Sequence, residues 1–476
     1  MDPRGAQTAA FQRLRRLLSK SEIAVQTGFD RCRALDDCRR LPLSDAGTLA
    51  PLLDRVFEQG AAAGQVFGRT KLVAIARTSG TLGEPKNIPI NRAYLASLDR
   101  TLLSMVAAQL HGAGDWEHLW SGRHIMLGSR PRCGTSPAGL PVCDISGLAA
   151  TRTRWPLRWL NLPRHRDLWI EDWPSKAEAI LAQAQGKRVV SISGLPALAA
   201  DLARRACAKD GVRYLDEVWP ELKLYVYGGV HLSQEQKAQL RAAWLSPGRK
   251  LRIYETYFAT EAPLAFSVDA NEEGLALNTL ENLYLFRDAQ SGDSHFASEL
   301  QEGRSYFLQV TTPGGLINYA MGDRIEVVST RPLLIRVAGR EADELSMTGE
   351  KITLSQLDLA LDAVGLSPAL LGPHPPVVWI EQKDLPRLVW GLPQIAAPDP
   401  RWGALLDEAL CRVNVLYAEA LRHERVIAGS RVVFVPEATF ERYRNSRLGV
   451  AQFKPKRLFQ SEAEFSAAFG WSENRS

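Results

Sequence analysis

The stretch IARTSGTLGEPKNIPI (residues 75–90) joins two apolar runs through a turn of Ser, Thr, Gly and Pro with a single Lys. Its small side chains leave backbone N–H groups open. Thr78, Ser79 and Thr81 add hydroxyl donors, and Lys86 adds one positive charge. Those are the parts of a phosphate cradle. They are equally the parts of a plain surface hairpin with a glycine turn, so the surrounding chain has to decide. A Walker loop does not fit, because G-x-x-x-x-G-K-[ST] needs Gly before the Lys and Ser or Thr after it. Pro85 and Asn87 stand in those places. The fingerprint G-x-G-x-x-G is missing as well, which leaves a hydride-transferring Rossmann enzyme without support.

Outward from the loop, KLVAIAR (71–77) reads as the strand before it and KNIPI (86–90) as the strand after it. NRAYLASLDRTLLSMVAAQL (91–110) then takes the helical period, with Asn91 as N-cap. Further β-like runs are GRHIMLG (122–128), RVVSISG (188–194), LKLYVYGG (222–229), KLRIYETY (250–257), LYLFRD (283–288) and SYFLQVTT (305–312). Helical segments such as PALAADLARRACAK (196–209) and SQEQKAQLRAAWL (233–245) separate several of them. This alternation predicts α/β layers with largely buried strands. Residues 8–27 are expected to form one amphipathic helix, with Phe11, Leu14, Leu17 and Leu18 on its apolar face.

A chain of 476 residues exceeds one ordinary core. The charged stretch RVAGREADELSMTGEKI (336–352) is followed by a compact α+β pattern: SQLDLALDAVG (355–365), PPVVWIEQ (375–382) and SRVVFVP (430–436). A boundary is therefore expected near residue 338, giving a large domain over 1–338 and a small one over 339–476. Hydrophobic content of 45% and charged content of 23% are those of a soluble globular protein. The net charge of +5 is small for this length, and no basic run is interleaved with aromatics, so no nucleic acid is expected. The six cysteines, at 32, 38, 133, 143, 207 and 411, show no C-x-x-C spacing and no companion histidines. That suggests a reduced, cytoplasmic setting rather than zinc or a disulfide framework. No signal peptide and no membrane span are expected.

Three later segments bear on the loop. WPELKLYVYGGVHLS (219–233) runs a strand into Gly228-Gly229, where a flat ring can approach bare backbone; a simple β-turn is the plain alternative. YETYFATEAPLAF (254–266) groups Tyr257, Thr260 and Glu261: a ring to stack, a hydroxyl for phosphate, and a carboxylate able to hold Mg²⁺. SYFLQVTTPGGLINYAMGDRIEV (305–327) carries Gly322-Asp323, a carboxylate placed to accept from two ribose hydroxyls. His124 and His231 sit in no recognised motif and read as structural.

The order of these parts resembles the adenylate-forming superfamily. Within it the chain is similar to the Gretchen Hagen family of acyl acid-amido synthetases, through WPELKLYVYGGV, ETYFATEA, VTTPGGLINYAMGD, MTGEKI and GVAQFKPKRL. The resemblance runs from about Phe11 to about Phe459. It implies the adenylate-forming-enzyme fold: a large α/β domain of layered sheets and helices with a smaller, mobile α+β domain. It also implies ATP and Mg²⁺, with a carboxylic acid activated as an acyl-adenylate and passed to an amine such as an amino acid. The loop residues Thr78, Ser79, Gly80, Thr81 and Lys86 would hold the leaving phosphates, and Glu261 the Mg²⁺. Gly228, Gly229 and Tyr257 would hold adenine, with Val230 and Ala259 beside them; Thr260 would contact the α-phosphate and Asp323 the ribose. Lys351 and Lys454 would supply charge from the small domain, with Lys456 as a spare for Lys454 and Gly339 to Asp343 as the hinge. A monomer is expected. Two other readings stand beside this one: transfer to a thiol of CoA or of a carrier protein, and a non-catalytic nucleotide-binding protein.

Overall fold

The computed structural model describes residues 2–78, 86–111, 122–128, 132–152, 159–170, 172–340, 344–345, 347–348, 352–366, 368–372, 374–394, 399–423, 425–447 and 456–471. The chain divides into two compact units. One comprises Met1–Gly80, Pro85–Met321 and Ile325–Val337; the other comprises Thr81–Glu84, Gly322–Arg324 and Ala338–Ser476. Among the described residues, no helix is long and apolar enough to cross a membrane.

In chain order the strands up to residue 340 are β1 (Leu72–Arg77), β2 (Asn87–Asn91), β3 (Arg123–Leu127), β4 (Gly134–Thr135), β5 (Pro141–Cys143), β6 (Asn161–Leu162), β7 (Val189–Gly194), β8 (Leu224–Gly228), β9 (Arg252–Phe258), β10 (Pro263–Phe266), β11 (Leu275–Leu277), β12 (Leu283–Asp288), β13 (Ser294–His295), β14 (Ser305–Thr311), β15 (Tyr319–Thr330) and β16 (Leu333–Arg340). Twelve of them make one mixed sheet, in the order β13-β12-β14-β15-β16-β11-β10-β9-β8-β7-β3-β6. The β3–β7–β8–β9 part is parallel, and β9–β10–β11 is antiparallel. A second sheet, β2-β1-β5-β4, is built on the β1–β2 hairpin.

The two halves of the large sheet owe their form to different sequence patterns. In β8 only alternate residues are buried: Tyr225 and Tyr227 meet the helices Pro196–Asp210 and Gln234–Trp244 through Leu202 and Trp244. That is a strand with one face in a helix-covered core. In β14 nearly every residue is buried, and its core with β12 takes in Phe11, Leu14 and Leu18 of the N-terminal helix. The expected single helix over 8–27 is two. The first spans Pro3–Leu18 and the second Glu22–Thr27. Ser21 Oγ accepts from the Ala24 N–H and starts the second, an N-cap that the continuing apolar period conceals.

The second unit contains β17 (Glu344–Leu345), β18 (Ile352–Thr353), β19 (Val377–Glu381), β20 (Arg387–Pro393), β21 (Arg431–Val435) and β22 (Leu458–Phe459). The last four form a sheet in the order β21-β20-β19-β22. Alternation along β19 feeds two cores. Val378 and Ile380 lie with the helices Leu354–Ala363 and Trp402–Val413; Val377 and Trp379 lie with Glu437–Arg447 and Glu462–Phe469. Trp379 stacks on Phe465 with centroids 4.4 Å apart.

Candidate active site

β8 and β9 are parallel from Leu224↔Arg252 to Gly228↔Thr256, so both end at the same edge of the sheet. In open α/β sheets, ligands are held beyond the carboxyl ends of parallel strands. Gly228 is dictated by its neighbour: a Cβ there would lie 2.6 Å from Thr256 Oγ1 and 2.9 Å from the Thr256 carbonyl oxygen. Gly229 follows at φ +88°, in the region only glycine adopts freely, and Val230 is exposed.

The Ala259 N–H donates to the Ala262 carbonyl at 3.0 Å, which makes Thr260 and Glu261 the two-residue tip of the β9–β10 hairpin. Hairpin tips are ordinarily wet, yet Thr260 is 8% and Glu261 9% exposed. Tyr257, half-buried, precedes them on β9. Across from the tip is the helix Arg92–His111. Asn91 caps it by accepting from the Tyr94 N–H at 2.9 Å, while its amide donates to the Gly314 carbonyl at 3.1 Å. Burial first, and the charge of Glu261 second, push the Tyr94 phenol well above its ordinary range. A Cβ placed on Gly314 would lie 3.1 Å from the Tyr94 ring and 3.3 Å from Thr312 Oγ1. Among the described residues, the Tyr94 and Thr312 hydroxyls are buried with no hydrogen-bond partner. Native proteins seldom leave such groups unsatisfied, so each calls for a water or another polar group to reach it.

The quoted loop closes at its base. The Thr78 N–H donates to the Lys86 carbonyl at 3.0 Å, and the Lys86 N–H donates to Thr78 Oγ1 at 2.9 Å. Lys86 Nζ donates to Tyr319 Oη at 3.4 Å and lies 6.0 Å from that ring's centre. Tyr319 is set by Asn318, which takes φ 45° and donates its amide to the carbonyls of Leu41 and Pro42. So the loop base, Tyr94, Gly228, Tyr257, Thr260 and Glu261 all belong to the first unit. Asp323 is buried, on β15. Ser79, Gly80, Thr81, Lys351 and Lys454 lie outside the described residues. Lys456, the spare for Lys454, is already engaged: its ammonium pairs with Glu464 and sits 5.3 Å over the Phe459 ring. Gly339, at φ +133°, and Arg340 end β16 rather than forming a loop, and 341–343 lie outside the described residues.

Sequence reasoning missed Tyr94, Thr312 and Tyr319, although the last two lie inside the quoted TTPGGLINYAMGD run. It also missed a buried network. Glu255, beside Tyr227 in register, accepts from the Tyr227 hydroxyl at 2.8 Å and meets His231 Nδ1 at 3.0 Å. Lys237, its pKa lowered chiefly by burial, lies over the Tyr227 ring at 5.9 Å. Glu255→Ala leaves this cation and phenol without their carboxylate. The expected cost is about 2 kcal/mol, below the full range for a broken buried pair because His231 is half-exposed. Urea denaturation followed by tryptophan fluorescence measures it.

The fold matches solved structures over almost its full length. A GH3.15 acyl acid amido synthetase superposes with a TM-score of 0.75 at 14% identity, covering 99% of this chain and 94% of that one. AtGH3.15 acyl acid amido synthetase in complex with 2,4-DB gives 0.74 at 14% identity, covering 98% and 94%. An open conformation of 2-hydroxyisobutyryl-CoA ligase with 2-HIB-AMP and CoA gives 0.52 at 15%, covering 96% and 91%. These likenesses show the adenylate-forming-enzyme fold. No curated protein matches the chain by sequence. Family models do: the GH3 family N-terminal domain matches residues 1–184 and the GH3 family central domain matches residues 284–340. Together they take in just over half of the sequence, and the chain belongs to the GH3 family.

Proposed function

We propose that this chain activates a carboxylic acid with ATP as an acyl-adenylate and transfers the acyl group to an amine, such as that of an amino acid, forming an amide. The observation that carries the reading is Glu261 itself: a carboxylate buried at the carboxyl ends of parallel strands, close enough to add to burial in raising the pKa of Tyr94, whose hydroxyl has no partner among the described residues, in the same unit as the base of the Ser/Thr/Gly loop.

The residues fit the groups that the family's chemistry requires. Adenylation brings the substrate carboxylate onto the α-phosphorus of ATP and expels pyrophosphate, so two anions must meet. The site's task is charge neutralisation and positioning. Lys86, held at the loop base, would face the leaving phosphates, with Thr78 and the N–H groups of the loop. Tyr257 and the bare Gly228-Gly229-Val230 edge would hold the adenine ring, with Ala259 beside it. Thr260 would contact the α-phosphate, and the buried Asp323 the ribose. Glu261 offers hard oxygens for Mg²⁺, which when bound supplies positive charge against the phosphates.

The division into a large domain over 1–338 and a small one over 339–476 belongs to the same proposal, with Gly339–Asp343 as hinge and Lys351 and Lys454 as the small domain's cations. Lys454→Ala is expected to lower kcat with ATP affinity largely intact, whereas Lys456→Ala leaves kcat near that of the parent, because its ammonium is committed to Glu464. Steady-state kinetics over ATP checks both. The enzyme is proposed to act as a cytoplasmic monomer on small-molecule substrates.

Carboxylate-dependent exchange of labelled pyrophosphate into ATP tests the first half of the proposal. Product mass, with amino acids and CoA offered together, tests the second. No exchange with any of a broad panel of acids would overturn adenylation, and a thioester in place of an amide would overturn the acceptor.

A further inference from the structure

The second unit carries a group of side chains that the adenylation chemistry does not use. His374 lies just before β19, while Glu437 and Glu441 lie one helical turn apart on the helix Glu437–Arg447. One ligand atom from each comes within 4.8 Å of the other two. The two carboxylates are exposed and the imidazole is buried, 5% exposed. Residues four apart share a helix face, so both glutamates are directed to the same side.

The imidazole is the telling member. Among the described residues neither of its ring nitrogens makes a hydrogen bond, and Nε2 stops 4.0 Å short of Glu437 Oε1. The ring's direction is fixed, because it stacks on Phe440 with centroids 5.4 Å apart and planes at 19°. It therefore faces the glutamates without bonding to them. Burial first, and Arg444 second, lower its pKa against the opposing pull of Glu437 and Glu441. A gap of 4.0 Å is too long for a hydrogen bond. A tetrahedral cation bonded at about 2.0–2.2 Å to nitrogen and oxygen donors would set them roughly 3.3–3.6 Å apart, so the exposed Glu437 would have to draw in by a few tenths of an ångström on binding.

We propose that His374, Glu437 and Glu441 form a binding site for a zinc-type divalent cation, with one imidazole nitrogen, two carboxylate oxygens and water completing the tetrahedron. One nitrogen donor favours a borderline transition ion over Mg²⁺ or Ca²⁺, which take oxygen ligands. The bound ion would tie the segment ahead of β19 to the start of the helix Glu437–Arg447. This inference is independent of the adenylation reading.

The test uses the full-length protein, stripped of metal with chelator and titrated with zinc chloride by calorimetry, with the thermal midpoint followed in parallel. One zinc per chain and a raised midpoint are expected. Because both glutamates are exposed, Glu437→Gln and Glu441→Gln should fold normally. Each should weaken zinc binding at least about tenfold, the lower end of what even an outer-shell change costs. His374→Gln should do the same but is buried, so it serves only as a supporting variant, with cobalt absorption in the parent protein reporting imidazole ligation. Absence of saturable zinc binding, or binding unchanged in Glu437→Gln and Glu441→Gln, overturns the proposal. So does binding lost in Glu261→Gln but kept in Glu441→Gln, which would place the zinc at the adenylation site.

Discussion

Glu261→Gln should reduce carboxylate-dependent pyrophosphate exchange by about a hundredfold to a thousandfold, the loss typical when one preorganised electrostatic contact is removed from a reacting site. The substitution keeps the size of the side chain and removes only its charge. The turn itself is held by the Ala259–Ala262 hydrogen bond, so the variant should unfold at about the same temperature as the parent. The half-saturating Mg²⁺ concentration should rise, because an amide oxygen is a poorer partner for a hard dication than a carboxylate. Exchange at the parent rate would remove Glu261 from the site and take the metal assignment with it.

The second large effect is on stability. Gly315 has φ +111°, and a Cβ there would come within 2.1 Å of the Phe67 carbonyl oxygen and 2.7 Å of its carbonyl carbon. The loop is pinned on both sides: the Gly315 N–H donates to Thr312 at 3.0 Å, and the Thr312 N–H donates to Leu316 at 2.9 Å. The loop cannot retreat cheaply. Gly315→Ala combines a backbone conformation costing about 1–3 kcal/mol with a clash of about 1–3 kcal/mol or more. A destabilisation of about 3–5 kcal/mol is therefore expected. Gly314→Ala is the internal comparison: its Cβ would meet only the Tyr94 ring and Thr312 Oγ1, at 3.1 and 3.3 Å, and the loss should be about 1 kcal/mol. Equal urea midpoints for the two variants would show that the Gly315 contact relaxes freely.

Local signals in the sequence proved readable. Asn91 caps the helix it was expected to cap, and the runs around Leu72–Arg77 and Leu224–Gly228 are strands. The GH3 likeness was legible because its motifs are short, ordered and spread along the chain. What was hidden depends on distance in sequence. Tyr227 and Glu255 are 28 residues apart, and only the parallel register of β8 and β9 makes them neighbours. Nor does anything near Lys456 announce that Glu464, in a following helix, will bind its ammonium. The break at Ser19–Ser21 was missed for the opposite reason: the apolar period runs through it, and a single hydroxyl overrides the pattern. Tyr94 is a core aromatic with an unsatisfied oxygen at its end, and nothing in the helical period sets it apart.

The two-residue turn at Thr260-Glu261 has a consequence for how such a protein can diversify. Because the turn links adjacent antiparallel strands, adding or deleting one residue there would either slide β10 against β9 or have to be taken up by the irregularity already present in their register between Pro263 and Ala265. In a slide, Leu264 and Ala265, both wholly enclosed, would trade places, and the error would pass on to β11. Around this corner a change of side chain therefore disturbs the packing of the sheet less than a change of length.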